Sequence, residues 1–503
     1  KKDIALLHIE TKDIGISLDK VEKSPQMSRY YGYENLVLTD YLEFRFYRNG
    51  ERYEEPIEIG KYNKKDRSIT PFPENYEHLA RTLKDFTKSS KEPIKSGKHL
   101  AKIMGGKAQR IRDNVKSFLS SDAERNNDII KVYQSFKKLL VHDLDESSFA
   151  DMYAQTLVYG LFVARYYDNS SDNFTRQEAR DLIPNSNPFL RSFFDHIVGP
   201  DFDERLEHIV DELCLVFLHS DVKILMEEYL KDGKSQDPVI HFYEDFLNEY
   251  DPQLRKKMGA YYTPQPVVNF IIRSVDHILK KDFHLPEGLV DNSKDENSIH
   301  KVQILDPAVG TGTFISTILN YMYGSIKQSN KPGRWDGTYI HHEILPRIHG
   351  FELMMTPYTI AHLKISMAFA KTGFIHFNRR FGIYLTNSLE KNLYSKDLIA
   401  FGLAESISKE SKEASKIKED TPIMVVVGNP PYSVSSSNKG EWIQDLIKVY
   451  KKDLNERKIN LDDDYIKFIR LAENYIERNG TGIVGMITNN SFIDGITHRQ
   501  MRK

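Results

Sequence analysis

Ile423-Met424-Val425-Val426-Val427-Gly428-Asn429-Pro430-Pro431-Tyr432 is the stretch that decides the fold. Its first six residues form an apolar, β-branched run of strand length, and such a run without polar alternation belongs in a parallel sheet covered on both faces. A second apolar strand, Val302-Gln303-Ile304-Leu305, ends in Asp306-Pro307-Ala308-Val309-Gly310-Thr311-Gly312-Thr313-Phe314. Further strands are expected at Arg347–Phe351 and Ile483–Ile487. Helical spacing fills the gaps at Thr313–Tyr323, Pro357–Lys371 and near Tyr465–Arg478. Strand and helix alternation of this kind predicts an α/β fold with a Rossmann-like parallel sheet.

The strand ends carry the chemistry. After Asp306, small residues let the backbone turn tightly and approach a ligand before a helix begins near Thr313. Free N–H groups at a helix start suit an anionic group such as a carboxylate. A dinucleotide site would have another glycine three residues on, where Ile315 stands instead. Glu352 ends the next strand, at the sheet edge that faces a ligand crevice, and can accept from two ribose hydroxyls. After the third strand, the Asn429 side-chain oxygen and the Pro430 carbonyl form a pair of acceptors suited to an exocyclic amine. Pro430 and Pro431 stiffen that corner, and Tyr432 offers an aromatic face to an extruded base.

Together these motifs resemble those of the adenine-N6 DNA methyltransferases, which use S-adenosylmethionine. The resemblance implies a donor site at Asp306, Ala308, Gly310, Gly312, Thr313, Phe314 and Glu352, and a catalytic corner at Asn429, Pro430, Pro431 and Tyr432. Gly259-Ala260-Tyr261-Tyr262-Thr263-Pro264-Gln265-Pro266 resembles the segment that closes over the methionine end of the donor, which adds Tyr262, Thr263 and Pro264. Read locally, Thr263 is the expected cap of the helix that follows and Pro264 its first-turn residue. Asn387 stands where the family usually has an Asp that bonds the donor's adenine amino group. Asn489-Asn490-Ser491-Phe492 is similar to a motif in the middle of the family's sheet. The wording around Phe149–Thr156 and Met258–Pro266 is closer still to large single-polypeptide restriction–modification enzymes, type IIG or type ISP.

The N-terminus adds a second chemistry. Glu10 and Lys12 follow an apolar run at Ile4–Ile9, and residues two apart on a strand share a face. Gln26 and Tyr30, four apart, share one face of a helix. Glu-x-Lys followed by Gln-x-x-x-Tyr resembles the tail of the PD-(D/E)XK nuclease fold, which implies a Mg²⁺ site with Glu10 as a ligand. An acidic partner on a preceding strand is also needed. Asp3 lies roughly 23 Å from Glu10 if the chain is extended, so either the partner is expected upstream of Lys1 or the fragment is not cleavage-competent by itself.

These readings divide the chain into residues 1–75, the C-terminal part of a small α/β nuclease-like domain; 76–250, an α-helical connector; and 251–503, the methyltransferase core. A target recognition domain is expected after Lys503. The opening Lys1-Lys2-Asp3, without Met, reads as a fragment or a processed start. The Ser/Lys/Glu-rich insert at 406–420 is expected as an exposed helix or loop.

Composition sets the bounds. A chain of 503 residues exceeds one ordinary core. The single cysteine, Cys214, excludes an internal disulfide and any multi-cysteine zinc site, and it disfavours cytosine-C5 transfer, which needs a cysteine nucleophile. No apolar run reaches membrane-span length, so no membrane contact is expected; the single cysteine fits a reducing cytoplasm, and the resemblance to restriction–modification enzymes implies a prokaryotic one. The net charge of −2 does not mark a nucleic-acid binder, but Lys91, Lys95, Lys98, Lys102, Lys107, Arg110, Arg112 and Lys116 fall in one stretch suited either to phosphates or to a solvated helix face. The expected partner is double-stranded DNA, with homo-oligomerisation for cleavage left open. The alternatives are methyl transfer to RNA or a protein amide, and a catalytically inactive DNA-binding or docking module.

Overall fold

A computed structural model describes residues 7–33, 35–87, 94, 96–121, 127–141, 143–170, 172–200, 202–231, 237–252, 263–329, 332–391, 402–433, 436–454 and 461–503. The chain forms two compact units. The first takes residues 1–121, 164–179 and 202–257; the second takes 122–163, 180–201 and 258–503. The stretch 76–250 is rich in helices, and these are shared between both units.

In the first unit, β1 (His8–Thr11) pairs in parallel with β2 (Asn35–Thr39), which pairs antiparallel with β3 (Glu43–Arg48). β4 (Glu51–Arg52) and β5 (Ile57–Glu58) both extend from β3, and β6 (Gly60–Asn63) with β7 (Ser68–Pro71) makes a separate two-stranded sheet. Of the run expected at Ile4–Ile9, residues 4–6 lie outside the described residues, and the strand extends to Thr11. Val37 and Phe46 pack with Ile57 and Phe86 on one side of the sheet, while Leu36, Leu38 and Tyr47 pack with Leu18 and Met27 on the other. The helix Gly97–Ser121 packs on Pro238–Tyr250, where Gln109 Nε2 donates to the carbonyl of Tyr250 at 2.6 Å.

The second unit is built on a five-stranded, all-parallel sheet: β8 (Ile304–Asp306), β9 (Ile348–Glu352), β10 (Ile383–Leu385), β11 (Val425–Gly428) and β12 (Ile483–Met486). Its spatial order is β10-β9-β8-β11-β12. The chain moves outward from β8 to β10 and then returns to the other side of β8, so the order reverses between β8 and β11. In an open parallel sheet that switch point opens a crevice at the carboxyl ends of the two strands.

Both faces of the central strands β8, β9 and β11 are covered, as expected of mainly apolar parallel strands. Leu305, Phe351, Tyr384 and Val426 join a core with Ala414, Ile443, Phe468, Leu471 and Tyr475 from the helices Leu403–Asp420, Glu441–Lys451 and Asp464–Asn479. Across the sheet, a Cβ on Gly485 of β12 would stand 2.8 Å from Ile271, on the helix Gln265–Lys281. The helix Leu403–Asp420 corrects the expectation of an exposed insert. Leu403, Ile407, Glu410, Ala414 and Lys418 are buried at three- and four-residue steps, a core-facing stripe beneath the charged surface.

Candidate active site

β8 and β11 lie side by side, with Val425 opposite Ile304 and Val426 opposite Leu305. A Cβ on Gly428 would stand 2.7 Å from Asp306 Oδ1, so only glycine permits this approach of the Asn429 corner to the Asp306 loop. Asp306 is 1% exposed and its Oδ1 accepts from the Ala308 N–H at 3.0 Å. Burial pushes its carboxyl up to about 8, and the nearby Glu352 charge adds to the rise.

Gly310 and Gly312 carry positive φ values of 56° and 83°, which lets the loop fold over before the helix Thr313–Gln328. Glu352 holds this loop: Oε2 accepts from Gly310 N at 2.8 Å, while Oε1 accepts from Leu353 N at 2.9 Å and Met354 N at 2.8 Å. Desolvation raises its carboxyl above the usual range. Three of the roughly four lone-pair sites of the carboxylate are therefore used by the chain itself. Around Gly310, no heavy atom of the described residues stands within 4 Å of where a Cβ would be, so the turn fronts open space. Thr313 is buried, with its hydroxyl accepting from Lys364 Nζ at 3.0 Å, and Phe314 is a core side chain.

Asn387 lies just past β10 and turns toward its own loop. Its Oδ1 accepts from Leu389 N at 3.0 Å and its Nδ2 donates to Asn438 Oδ1 at 3.2 Å. The loop is held by Lys418, which the sequence reading missed. Lys418 Nζ donates to Thr386 Oγ1 at 3.0 Å, the Asn387 carbonyl at 2.6 Å and the Glu390 carbonyl at 3.0 Å. Burial pushes this amine down to about 7. Two turns earlier on the same helix, Glu410 Oε2 accepts from Leu385 N at 3.0 Å. The stripe Leu403-Ile407-Ala414 was the signal available for this face.

At the Asn429–Tyr432 corner, Pro430 is buried, Pro431 exposed, and Asn429 and Tyr432 half-buried. Tyr432 donates from its hydroxyl toward Asn429 Oδ1 at 3.0 Å and the Ile487 carbonyl at 3.2 Å, while Asn429 Nδ2 donates to Thr263 Oγ1 at 3.2 Å. The Tyr432 ring packs against Tyr450, Leu461, Tyr465 and Ile466. Tyr262 lies outside the described residues. Thr263 is not the helix cap that its sequence position suggested. The helix begins at Gln265, Pro264 holds the cap position, and no side chain makes a capping bond.

In the first unit the four N-terminal residues converge. Lys12 Nζ lies 2.5 Å from Glu10 Oε1 and 3.2 Å from Gln26 Oε1; Gln26 Nε2 donates to Glu10 Oε1 at 3.1 Å and to the Tyr30 hydroxyl at 3.0 Å. Among the described residues no group of three or more His, Cys, Asp or Glu side chains is placed to hold a metal. Asp3, the acidic residue weighed as a partner of Glu10, lies outside the described residues.

The basic stretch is largely spent within the unit. Lys107 is buried against Glu212, Arg110 reaches the same carboxylate at 2.9 Å and lies over the Tyr33 ring, and Arg112 pairs with Asp113. Lys91 and Lys95 lie outside the described residues. Cys214 is buried in the core and burial raises its thiol, consistent with packing rather than reactivity.

The parallel sheet thus carries a Gly-x-Gly loop after one strand and Asn-Pro-Pro-Tyr after its neighbour. The family model for N-6 DNA methylases matches residues 234–503, more than half of the chain, and the chain belongs to that family. No curated relative matches it. Among solved structures, a cryo-electron-microscopy DrdV–DNA complex is similar over 98% of this chain and 44% of that one, at 23% identity and a TM-score of 0.58. An ATP-dependent type ISP restriction–modification enzyme, LlaBIII, bound to DNA is similar over 81% of this chain and 26% of that one, at 25% identity and a TM-score of 0.59. A nuclease-deletion mutant of the type ISP enzyme LlaGI, with a DNA substrate mimic, covers 85% of this chain and 32% of that one, at 22% identity and a TM-score of 0.57. The chain thus spans less than half the length of each of these structures. Among the described residues no helix is long and apolar enough to cross a membrane.

Proposed function

We propose that the second unit transfers a methyl group from S-adenosylmethionine to the exocyclic N6 of an adenine rotated out of duplex DNA. The observation that carries this reading is the contact of Gly428 with Asp306, which brings the Asn429 corner beside the Asp306–Gly312 loop. The open space before Gly310 and the helix start at Thr313 suit the methionine end of the donor, and Glu352 keeps a lone pair for a ribose hydroxyl. Asn387 and Thr386 border the adenine end. When bound, the donor supplies an electrophilic methyl group on a sulfonium.

Adenine N6 is a poor nucleophile because its lone pair is delocalised into the ring. Asn429 Oδ1 and the Pro430 carbonyl accept its two N–H bonds and favour the pyramidal nitrogen that forms a new C–N bond. That C–N bond would form as the sulfonium S–C bond breaks, leaving a neutral thioether, and N6 would then lose one proton to solvent. Acceptors fixed before the reaction stabilise developing charge without reorganising, and one such contact is worth roughly 10²–10³ in rate. Asn429 Oδ1 has a second lone pair beside the one that takes the Tyr432 hydroxyl, and the Tyr432 ring offers a stacking surface.

We further propose that the chain is part of a single-polypeptide restriction–modification enzyme whose first unit contributes part of a nuclease site. The convergence of Glu10, Lys12, Gln26 and Tyr30 supports this. The named structural relatives are consistent with it. Incubating the protein with labelled donor and, in parallel, duplex DNA, RNA and total protein tests the first proposal. Label in N6-methyladenine of DNA supports it; label only in RNA or protein contradicts it. Failure to bind the donor at all points to an inactive DNA-binding module.

A further inference from the structure

We infer that Thr263 is a positioning residue for methyl transfer, whose hydroxyl holds the Asn429 amide with its oxygen toward the target amine. The inference rests on the proposed reaction and concerns the same site. An Asn side chain has an acceptor end and a donor end of nearly equal shape, and a half-turn exchanges them. In the wrong orientation Asn429 would aim N–H at an incoming NH₂ group, donor against donor. The productive orientation is favoured when the Nδ2 end has an acceptor on the side away from the base, beside the Tyr432 hydroxyl that donates to Oδ1. Thr263 Oγ1, 3.2 Å from Asn429 Nδ2, is that acceptor.

The hydroxyl is available because it does not cap the following helix, where Pro264 occupies the cap position without a side-chain bond. The segment itself is tied down two residues on, where Gln265 Nε2 donates to Thr317 Oγ1 at 3.0 Å, on the helix that opens from the Gly310–Gly312 turn.

The test is steady-state methylation of duplex DNA, together with equilibrium binding of S-adenosylmethionine, for the full chain as wild type, Thr263→Val and Thr263→Ser. Valine keeps the shape and removes the hydroxyl. The expected result is a roughly tenfold fall in kcat for Thr263→Val, the scale of one hydrogen bond, with donor affinity and donor KM within about twofold. Thr263→Ser should restore kcat to within about twofold of wild type. Preserved donor binding shows that the valine variant is folded. An unchanged kcat in Thr263→Val overturns the inference, as does a loss confined to donor affinity, which would make Thr263 a cofactor contact. A wild-type chain that does not methylate adenine sinks the underlying reading instead, so the two failures are distinguishable.

Discussion

The backbone N–H of Gly310 donates to Glu352 Oε2 at 2.8 Å, joining the loop after β8 to the end of β9 through one partly buried carboxylate. The other oxygen of that carboxylate collects Leu353 N and Met354 N. The side chain proposed to hold a ribose thus fastens the loop after β8. The proposed contact is compatible with that bond because a carboxylate has more lone pairs than the chain uses.

Glu352→Gln exchanges one acceptor oxygen for an NH₂ group, which must face at least one of those three N–H donors. An unsatisfied buried donor costs about 1–3 kcal/mol. Thermal denaturation should show a destabilisation of that order, and calorimetric titration should show a loss of donor affinity. Wild-type affinity in the variant would mean that the loop does not depend on this carboxylate.

Asp306 predicts a pH dependence. Its carboxyl is raised in the folded state to about 8, against about 3.9 in an unfolded chain. Between those values the folded state holds a proton that the unfolded state has released, so stability falls as pH rises through this window and levels above about 8. Asp306→Asn cannot ionise. The melting temperature of wild type should therefore drop relative to this variant from pH 5 to 8 and then run parallel to it. A constant difference across that range would contradict the assignment.

Lys418→Met removes the three donors that hold Thr386, Asn387 and Glu390. Hydrogen exchange followed by mass spectrometry should speed up at residues 386–390 while the β8 and β11 amides keep their protection. No local change would show that Lys418 does not organise that loop.

Glu10→Ala tests the N-terminal cluster. In the full-length enzyme the substitution should abolish Mg²⁺-dependent cleavage of plasmid DNA and leave methylation intact. Undiminished cleavage would reduce Glu10 and Lys12 to an ion pair of the fold.

The parallel sheet and the two motif strands were legible because each motif is contiguous and its strand has no polar face. The Glu10–Lys12 and Gln26–Tyr30 pairs were legible for a similar reason: the period of a strand or helix brings each pair together. What sequence could not supply was the partner of a charge across a long loop. Lys107 and Arg110 read either as phosphate ligands or as a solvated helix face, and Glu212, about a hundred residues on, takes both. Lys418 looked like solvent-facing charge because its carbonyl partners depend on where β10 ends. Thr263 looked like a cap because Thr before Pro usually is one; a tertiary bond to Asn429 took its hydroxyl instead.

The most direct test compares labelled-methyl transfer to duplex DNA by the wild-type chain and by Asn429→Ala, with donor affinity measured in both. The account predicts N6-methyladenine from the wild type, a fall of at least roughly a hundredfold in the variant, and donor affinity within a few-fold of wild type. Undiminished transfer by Asn429→Ala would contradict it.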